Sequence, residues 1–595
     1  MKFFHRIREY IKLGLWDYIE PVQNVLRTLG VVVALFTMGV IICFYGFEQT
    51  EFSTQFCNIV VKCSLVFYVI KYCCNYIFNK HPLNFLRRNW SEGLVILLLV
   101  IWFVLRKIFH FHFLGILFGD DLSMSSGLML LLQCYFFLLM LMEMSGLGQV
   151  LSKLKVGPAG MMIASFFILI TVGTLLLMLP EMTTRGISFI DALFMATSAS
   201  CITGLSTLNL FADFTFKGQI VMLLLIQLGG MNIICFATFF MSFYKGGNLR
   251  YQSILKEMLN TNMQNSRSLT REIMLYTFLI EMIGFVFLFV YLSATNIYSE
   301  STFNNVFFSL FHAVSAFNNA GFSIVDGGMQ NSMLIHIYYI QTVTIVMVFF
   351  GGIGFLTLHD MVNVRKTGER RHYWDRLQVA TRLVLKMSVI LLVFGAVVFL
   401  LLEHNHLKGH STIDNIYAAF FTSMSCRSSG FSTVDISFLN TSTIVIMMVL
   451  MMIGTSSGST GGGIKLSTFY VLVKTVWASI TNRRQVTIGN RAVSFDTVNK
   501  SFIVLQITMA LVIIGIFTLS ITDPQFPFQK IVFEVISACG TVGSSMGITP
   551  YLSVPGKFAI VVLMFIGRVT VLTLTVSISR KAFNKFMIAK TNISI

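Results

Sequence analysis

Apolar runs about 20 residues long follow one another along almost the whole chain, separated by short polar links. A run of that length crosses the hydrocarbon core of a bilayer as a helix. From about residue 150 the runs fall into a repeating order. A full-length run is followed by an apolar segment of about 12 residues, a loop rich in Gly, Ser and Thr, and a second full-length run. The full-length pairs are 159–180 with 218–243, 272–295 with 334–358, 384–403 with 440–478, and 501–521 with 556–580. The segments between them (IDALFMATSAS, NVFFSLFHAVSAF, NIYAAFFTSMSC and IVFEVISAC) are too short to span and fit re-entrant helices. Four further runs, 30–46, 57–79, 91–105 and 126–148, precede the repeats. The spacing therefore predicts an all-α polytopic membrane protein. Its expected parts are an N-terminal four-helix extension (1–150) and four repeats (151–250, 251–370, 371–485 and 486–595).

The loops carry the repeat's clearest mark. SASCITGLST, SAFNNAGFSI, SMSCRSSGFSTV and SACGTVGSSM place glycines at 204, 321, 430 and 543, spaced by 117, 109 and 113 residues. Five positions before each glycine stands a small residue: Ala199, Ala316, Ser425 and Ala538. Non-helical backbone at membrane depth survives only where it is buried in protein or lines water. Four such loops gathered about one axis could aim their carbonyls at a dehydrated cation. The short helices would point their partially negative ends the same way.

Composition agrees with the patterning. The 595-residue chain is 55% hydrophobic and 12% charged, about half the charged share of soluble proteins. A net charge of +17 would suggest nucleic acid in a soluble chain. Here the basic residues crowd the links between repeats, which places those links and both termini in the cytoplasm. Arg106 and Lys107 are the exception, falling on the outer side. The N-terminus is basic but lacks the apolar core and cleavage site of a signal peptide. Ten scattered cysteines without C-x-x-C suggest neither a disulfide framework nor a metal site.

Two features interrupt the apolar runs. The segment Gly454-Thr455-Ser456-Ser457-Gly458-Ser459-Thr460-Gly461-Gly462-Gly463, followed by Ile464 and Lys465, breaks the second run of repeat three. Unwound there, it would be a movable constriction beneath the glycine loops, its hydroxyls satisfying freed backbone groups. The alternative is a static kink. Arg568 lies within FAIVVLMFIGRVTVLTLTVSI, where a charge is costly unless it faces water or a partner. It would serve as an electrostatic barrier or as a latch on the glycine segment. The alternative is a structural pair with Glu534 or Glu281. Glu281 itself is expected to pair helices, and His312 to be packed. GSTGGGIKLS departs from the phosphate-loop pattern, because Ile464 separates Gly463 from Lys465. No nucleophile–base set or paired carboxylates mark an enzyme.

TGLS, NNAGFS, RSSGFSTVD and GTVGSSMGITP, with GSTGGGIK and IGRVTVLTL, together resemble the Trk/Ktr/HKT superfamily of potassium transporters, in its KtrB/TrkH branch. The similarity covers about 159–585. The resemblance implies a pseudo-fourfold pore whose selectivity filter maps onto Ile202, Thr203 and Gly204; Asn319, Ala320 and Gly321; Ser428, Ser429 and Gly430; and Thr541, Val542 and Gly543. It implies that potassium is the transported ion, held at backbone carbonyls near the four glycines, with no organic cofactor on this chain. Gly204, where sodium-carrying plant relatives have serine, favours potassium over a sodium-permeable or sodium-coupled variant. The family's gating loop maps onto Gly454 to Gly463, and its pore arginine onto Arg568. The resemblance further implies a homodimer in the cell membrane bound to a cytosolic nucleotide-binding RCK-type subunit of the TrkA/KtrA kind.

Overall fold

The computed structural model describes residues 16–78, 93, 158–243, 266–295, 298, 301–366, 373–404, 411–483, 485–489 and 491–569. The expected spans 91–105 and 126–148, Arg106, Lys107 and the end of the last run lie outside the described residues. Among the described residues, five helices are long and apolar enough to cross a membrane, over Thr28–Gly46, Glu51–Tyr76, Glu272–Thr295, Val379–Leu402 and Phe495–Thr522.

Residues 16–78 belong to one compact unit and nearly all those from Pro158 onward to another. In the first, helices α1 (Trp16–Gly46) and α2 (Glu51–Phe78) pair as a hairpin. Its polar groups are satisfied across the pair: Thr37 Oγ1 and Ser64 Oγ lie 2.6 Å apart, and the Tyr68 hydroxyl donates to Gly30 O at 2.7 Å. Such cross-helix bonds hold apolar helices together where lipid removes the hydrophobic drive.

The second unit begins with α3 (Pro158–Leu177), α4 (Phe189–Ser200) and α5 (Phe216–Phe243). Next come α6 (Ser266–Thr295), α7 (Thr302–Phe317), α8 (Tyr338–Ile353) and α9 (Phe355–Lys366). After a single turn at Tyr373–Arg376 follow α10 (Val379–Leu402), α11 (Thr412–Ser428), α12 (Thr441–Met452) and α13 (Leu466–Ile480). A two-stranded hairpin, Thr487–Ile488 against Arg491–Ala492, leads to α14 (Phe495–Thr522), α15 (Phe528–Gly540) and α16 (Val554–Val569). The short helices α4, α7, α11 and α15 have 12, 16, 17 and 13 residues. At 1.5 Å per residue none reaches across a core about 30 Å thick. Ser188 and Ser411 start α4 and α11 by accepting the Asp191 and Ile413 amides.

One expectation is corrected. The run 334–358 is not one straight helix. Residues 334–336 form a turn, α8 starts at Tyr338, and α9 leaves it at 93°. The break falls at Gly354, whose φ of +86° suits glycine alone. Beyond it the chain carries His359, Asp360, Arg365 and Lys366, which hydrocarbon would reject.

Each short helix packs on the long helix before it: α4 on α3, α7 on α6, α11 on α10 and α15 on α14. The helices after loops two, three and four then reach the next short helix in turn: α8 against α11, α12 against α15, and α16 back against α4. The last contact joins the end of the unit to its beginning, through Lys557 Nζ and Asp191 Oδ1 at 2.7 Å. Burial by itself pushes the pKa of Asp191 up. The hydrogen bonds from Lys557 and Ser188 outweigh it and hold the carboxyl below its usual range. Acidic side chains at the ends of α10 and α14 pin the starts of α12 and α16. Glu403 accepts the Asn440 amide and the Thr443 hydroxyl, and Asp523 accepts the Ser553 amide and hydroxyl.

Candidate functional site

The four short helices end in four loops that touch in a ring. A Cβ on Gly204 would stand against the Ala320 carbonyl, on Gly321 against Ser429, on Gly430 against Val542, and on Gly543 against Thr203, each at 2.6 Å or less. All four glycines have positive φ, from +68° to +93°. Any side chain there would collide with the backbone of the next loop, so glycine is required by space and by angle.

The turn into loops one, two and four closes on a serine six residues before the glycine. The amides of Thr203, Ala320 and Val542 donate to the carbonyls of Ser198, Ser315 and Ser537 at 2.8–2.9 Å. That closure needs a left-handed residue two before the glycine, and Ile202, Asn319 and Thr541 take it at φ of 54°, 59° and 49°. For β-branched Ile202 and Thr541 this strain is about 1–3 kcal/mol each. The serine side chains then fix the loop: Gly204 and Gly543 donate to Ser198 Oγ and Ser537 Oγ at 3.1 Å, and Ser315 Oγ donates to Phe322 O at 2.8 Å. Loop three is built differently. Its serine, Ser425, stands five residues before Gly430, so α11 runs on through Ser428 and Ser429 stays at φ −112°. Asn319 and Ser428 bridge loops two and three through a 3.0 Å hydrogen bond.

Residues 453–465 form an unwound segment between α12 and α13. It folds on itself, with Gly454 N donating to Ile464 O, Ile464 N to Met452 O and Leu466 N to Thr455 O at 3.0–3.2 Å. Thr455 and Ser459 share a 2.6 Å hydroxyl contact. Lys465 Nζ donates to Gly461 O at 2.6 Å. One side of the segment rests on the α8–α9 elbow: Ser456 N donates to Gly352 O and Phe355 N to Gly458 O, both at 3.2 Å. The other side meets loop four, where Gly462 N donates to Thr541 Oγ1 at 2.9 Å. A Cβ on Gly461 would stand 2.9 Å from that of Ser428. Ser457 and Gly463 complete the segment; the Ser457 hydroxyl contacts Ser467 Oγ at 3.2 Å.

Arg568 is 1% exposed. Its Nη1 donates to Thr460 O and its Nη2 to Gly229 O at 2.8 Å, with the Phe166 ring 5.9 Å from the guanidinium. The alternative pairing with Glu281 or Glu534 does not occur. Glu281 accepts from Gln227 and Asn318 at 3.0 Å, linking α6 to α5 and the end of α7. Glu534 accepts from Ser545 at 2.8 Å and from Thr549. A carboxylate bound by neutral donors in its own neighbourhood is not available to a guanidinium elsewhere. His312 is packed between Phe308 and Phe431 and bonds Thr344 at 2.9 Å.

Sequence reasoning passed over two parts of the site. Arg427, three residues before Gly430, is buried and donates to Ser388 O at 3.1 Å, turning a cation behind loop three. Its place inside RSSG next to an apolar segment was the available signal. The elbow at Gly354 was marked by Gly351-Gly352-Ile353-Gly354, which reads as apolar unless each glycine is weighed as a helix breaker.

Residues 150–586 match the sequence profile of the TrkH family, described as a cation transport protein. The chain is 35% identical to Ktr system potassium uptake protein B of Bacillus subtilis, over 73% of this chain and 95% of that protein. It is 33% identical to potassium/sodium uptake protein NtpJ of Enterococcus hirae, over 72% of this chain and 94% of that one. The crystal structure of the potassium transporter TrkH from Vibrio parahaemolyticus superposes with a TM-score of 0.59 at 15% identity, covering 94% of this chain and 98% of the other. That likeness concerns the fold alone.

Proposed function

Because the chain belongs to the TrkH family of cation transport proteins, we propose that it carries potassium across the cell membrane through a filter made by its four glycine loops. The observation that carries this reading is the ring in which each glycine lies against the next loop's carbonyl. The carbonyls of Thr203, Ala320, Ser429 and Val542 stand at the contacts, and such dipoles replace a cation's hydration shell. In this reading the four repeats surround one pseudo-fourfold pore, and α4, α7, α11 and α15 are its pore helices. Residues 1–150 extend the repeats with four spans, and both termini are cytoplasmic, as the basic links suggest.

The segment Gly454–Gly463 is the gate in this reading, and Arg568 its latch. The guanidinium holds a carbonyl of the segment to the backbone of α5, so the segment bridges repeats one, two and four when closed. The working assembly is a homodimer with a separate RCK-type cytosolic subunit that acts on the gate.

The test is flux of potassium, rubidium and sodium into liposomes holding the purified chain, with and without Gly204→Ser. Potassium and rubidium flux without sodium flux, relaxed by the substitution, is expected. Equal sodium flux in the parent chain would move the reading to a sodium-permeable transporter, a possibility that the likeness to a potassium/sodium uptake protein supports.

A further inference from the structure

Loop four is held by a device that the other loops lack. Glu534 lies on α15, nine residues before Gly543, and is fully buried. The equivalent positions before Gly204, Gly321 and Gly430 are Met195, His312 and Phe421, none of them a carboxylate. The Glu534 carboxyl accepts from Ser545 Oγ at 2.8 Å and from Thr549 Oγ1. Those hydroxyls are 2.9 Å apart, and Ser545 Oγ also takes the Gly547 amide at 3.1 Å. All of these bonds go to the stretch of chain that leaves Gly543.

That stretch needs holding. Gly543 and Gly547 both sit at positive φ, at 93° and 81°, so glycine's wide conformational range acts at both ends of a five-residue arc. A buried carboxyl is costly unless hydrogen-bonded, and its bonds to hydroxyls are short and directional. We propose that Glu534 is a positioning residue for ion discrimination, fixing the arc from Gly543 to Thr549 and with it the spacing of the loop-four carbonyls. The proposal rests on the reading of the four loops as a filter. Discrimination between cations of different radius depends on the geometry and stiffness of the coordinating carbonyls. Loosening the arc therefore acts on selectivity more than on folding.

The experiment uses the full chain in liposomes and reads how far sodium and potassium each compete with rubidium uptake. The variants are Glu534→Gln, Glu534→Leu, the double change Ser545→Ala with Thr549→Val, and Gly204→Ser as the control for the filter. The double change alters little volume but leaves the carboxyl without its two partners, so retained rubidium uptake is the check that it folds, and Glu534→Gln, which keeps them, stays informative if Glu534→Leu does not fold. In the double variant the preference for potassium over sodium is expected to fall by about tenfold, the scale of one charge-assisted hydrogen bond. Glu534→Gln, which keeps an acceptor and adds a donor for the same hydroxyls, should stay within about threefold of the parent. Unchanged preference in the double variant, beside a lowered one in Gly204→Ser, would overturn the brace alone. Unchanged preference in both would overturn the filter reading, and the brace with it.

Discussion

At the scale of the residue, Arg568 shows how a charge buried in an apolar helix is satisfied. It finds no carboxylate and instead donates to two carbonyls, Thr460 O and Gly229 O, on two different elements. Hydrogen bonds from a charged donor contribute about 1.5–3 kcal/mol each. Arg568→Gln keeps a donor but loses the charge and one arm of the fork. Rubidium leak through the isolated chain in liposomes should then rise by about tenfold, at roughly 1.4 kcal/mol per decade. A leak equal to the parent's would overturn the proposal that Arg568 latches the segment. The sequence exposed this residue as an anomaly, because a charge amid aliphatic neighbours is visible in one dimension. It could not say which partner the charge would meet. Glu281 and Glu534 were the available acids, and both are taken by neutral donors.

At the scale of the element, the unwound segment 453–465 and the α8–α9 elbow form one interlocked piece. The elbow's Gly352 O and Phe355 N bond Ser456 and Gly458 directly. A Cβ on Gly354 would stand 3.1 Å from Ser457 O, and its backbone angles, φ 86° and ψ 151°, cost an L-residue about 1–3 kcal/mol. Gly354→Ala should thus disturb the segment and change basal flux several-fold while leaving the potassium-to-sodium ratio untouched. A change in that ratio with normal basal flux would separate the elbow from the gate. The break in repeat three was legible because glycine and serine crowd it. The elbow in repeat two was not, because Gly351, Gly352 and Gly354 count as apolar in any average over the run. The longer helix into loop three was equally hidden: α11 runs to Ser428, two residues before Gly430, whereas α4 and α7 end four before their glycines. Where the helix ends decides whether a left-handed residue is needed.

At the scale of the whole molecule, α16 packs back on α4, the first short helix, and Asp191 and Lys557 join them. Their side chains are 17% and 12% exposed, so removing one partner leaves the other charge poorly solvated. Asp191→Asn should cost about 3 kcal/mol and lower the thermal midpoint in detergent. The Asp191 carboxyl is depressed in the folded protein. Its contribution is therefore present above the ordinary aspartate value of about 3.9 and fades as pH falls through the lower folded value. Between pH 5 and 8 the deficit of the variant should be constant, and it should shrink only in stronger acid. A deficit that grew on acidification would contradict the assignment.

The sequence by itself determined the alternation of long and short apolar helices from Pro158 to Val569, the four glycines and the unwound segment. Run length, helix-breaking residues and a residue that must have no side chain are properties of short stretches, readable without knowing what they touch. The tertiary structure decided everything that depends on a partner remote in the chain. It set which carbonyl faces each glycine and which backbone Arg568 holds. It also decided that Glu534 is spent on Ser545 and Thr549, and that α9 turns away at Gly354. These are choices among several acceptors of equal chemistry, and only the packed arrangement of the four loops distinguishes them.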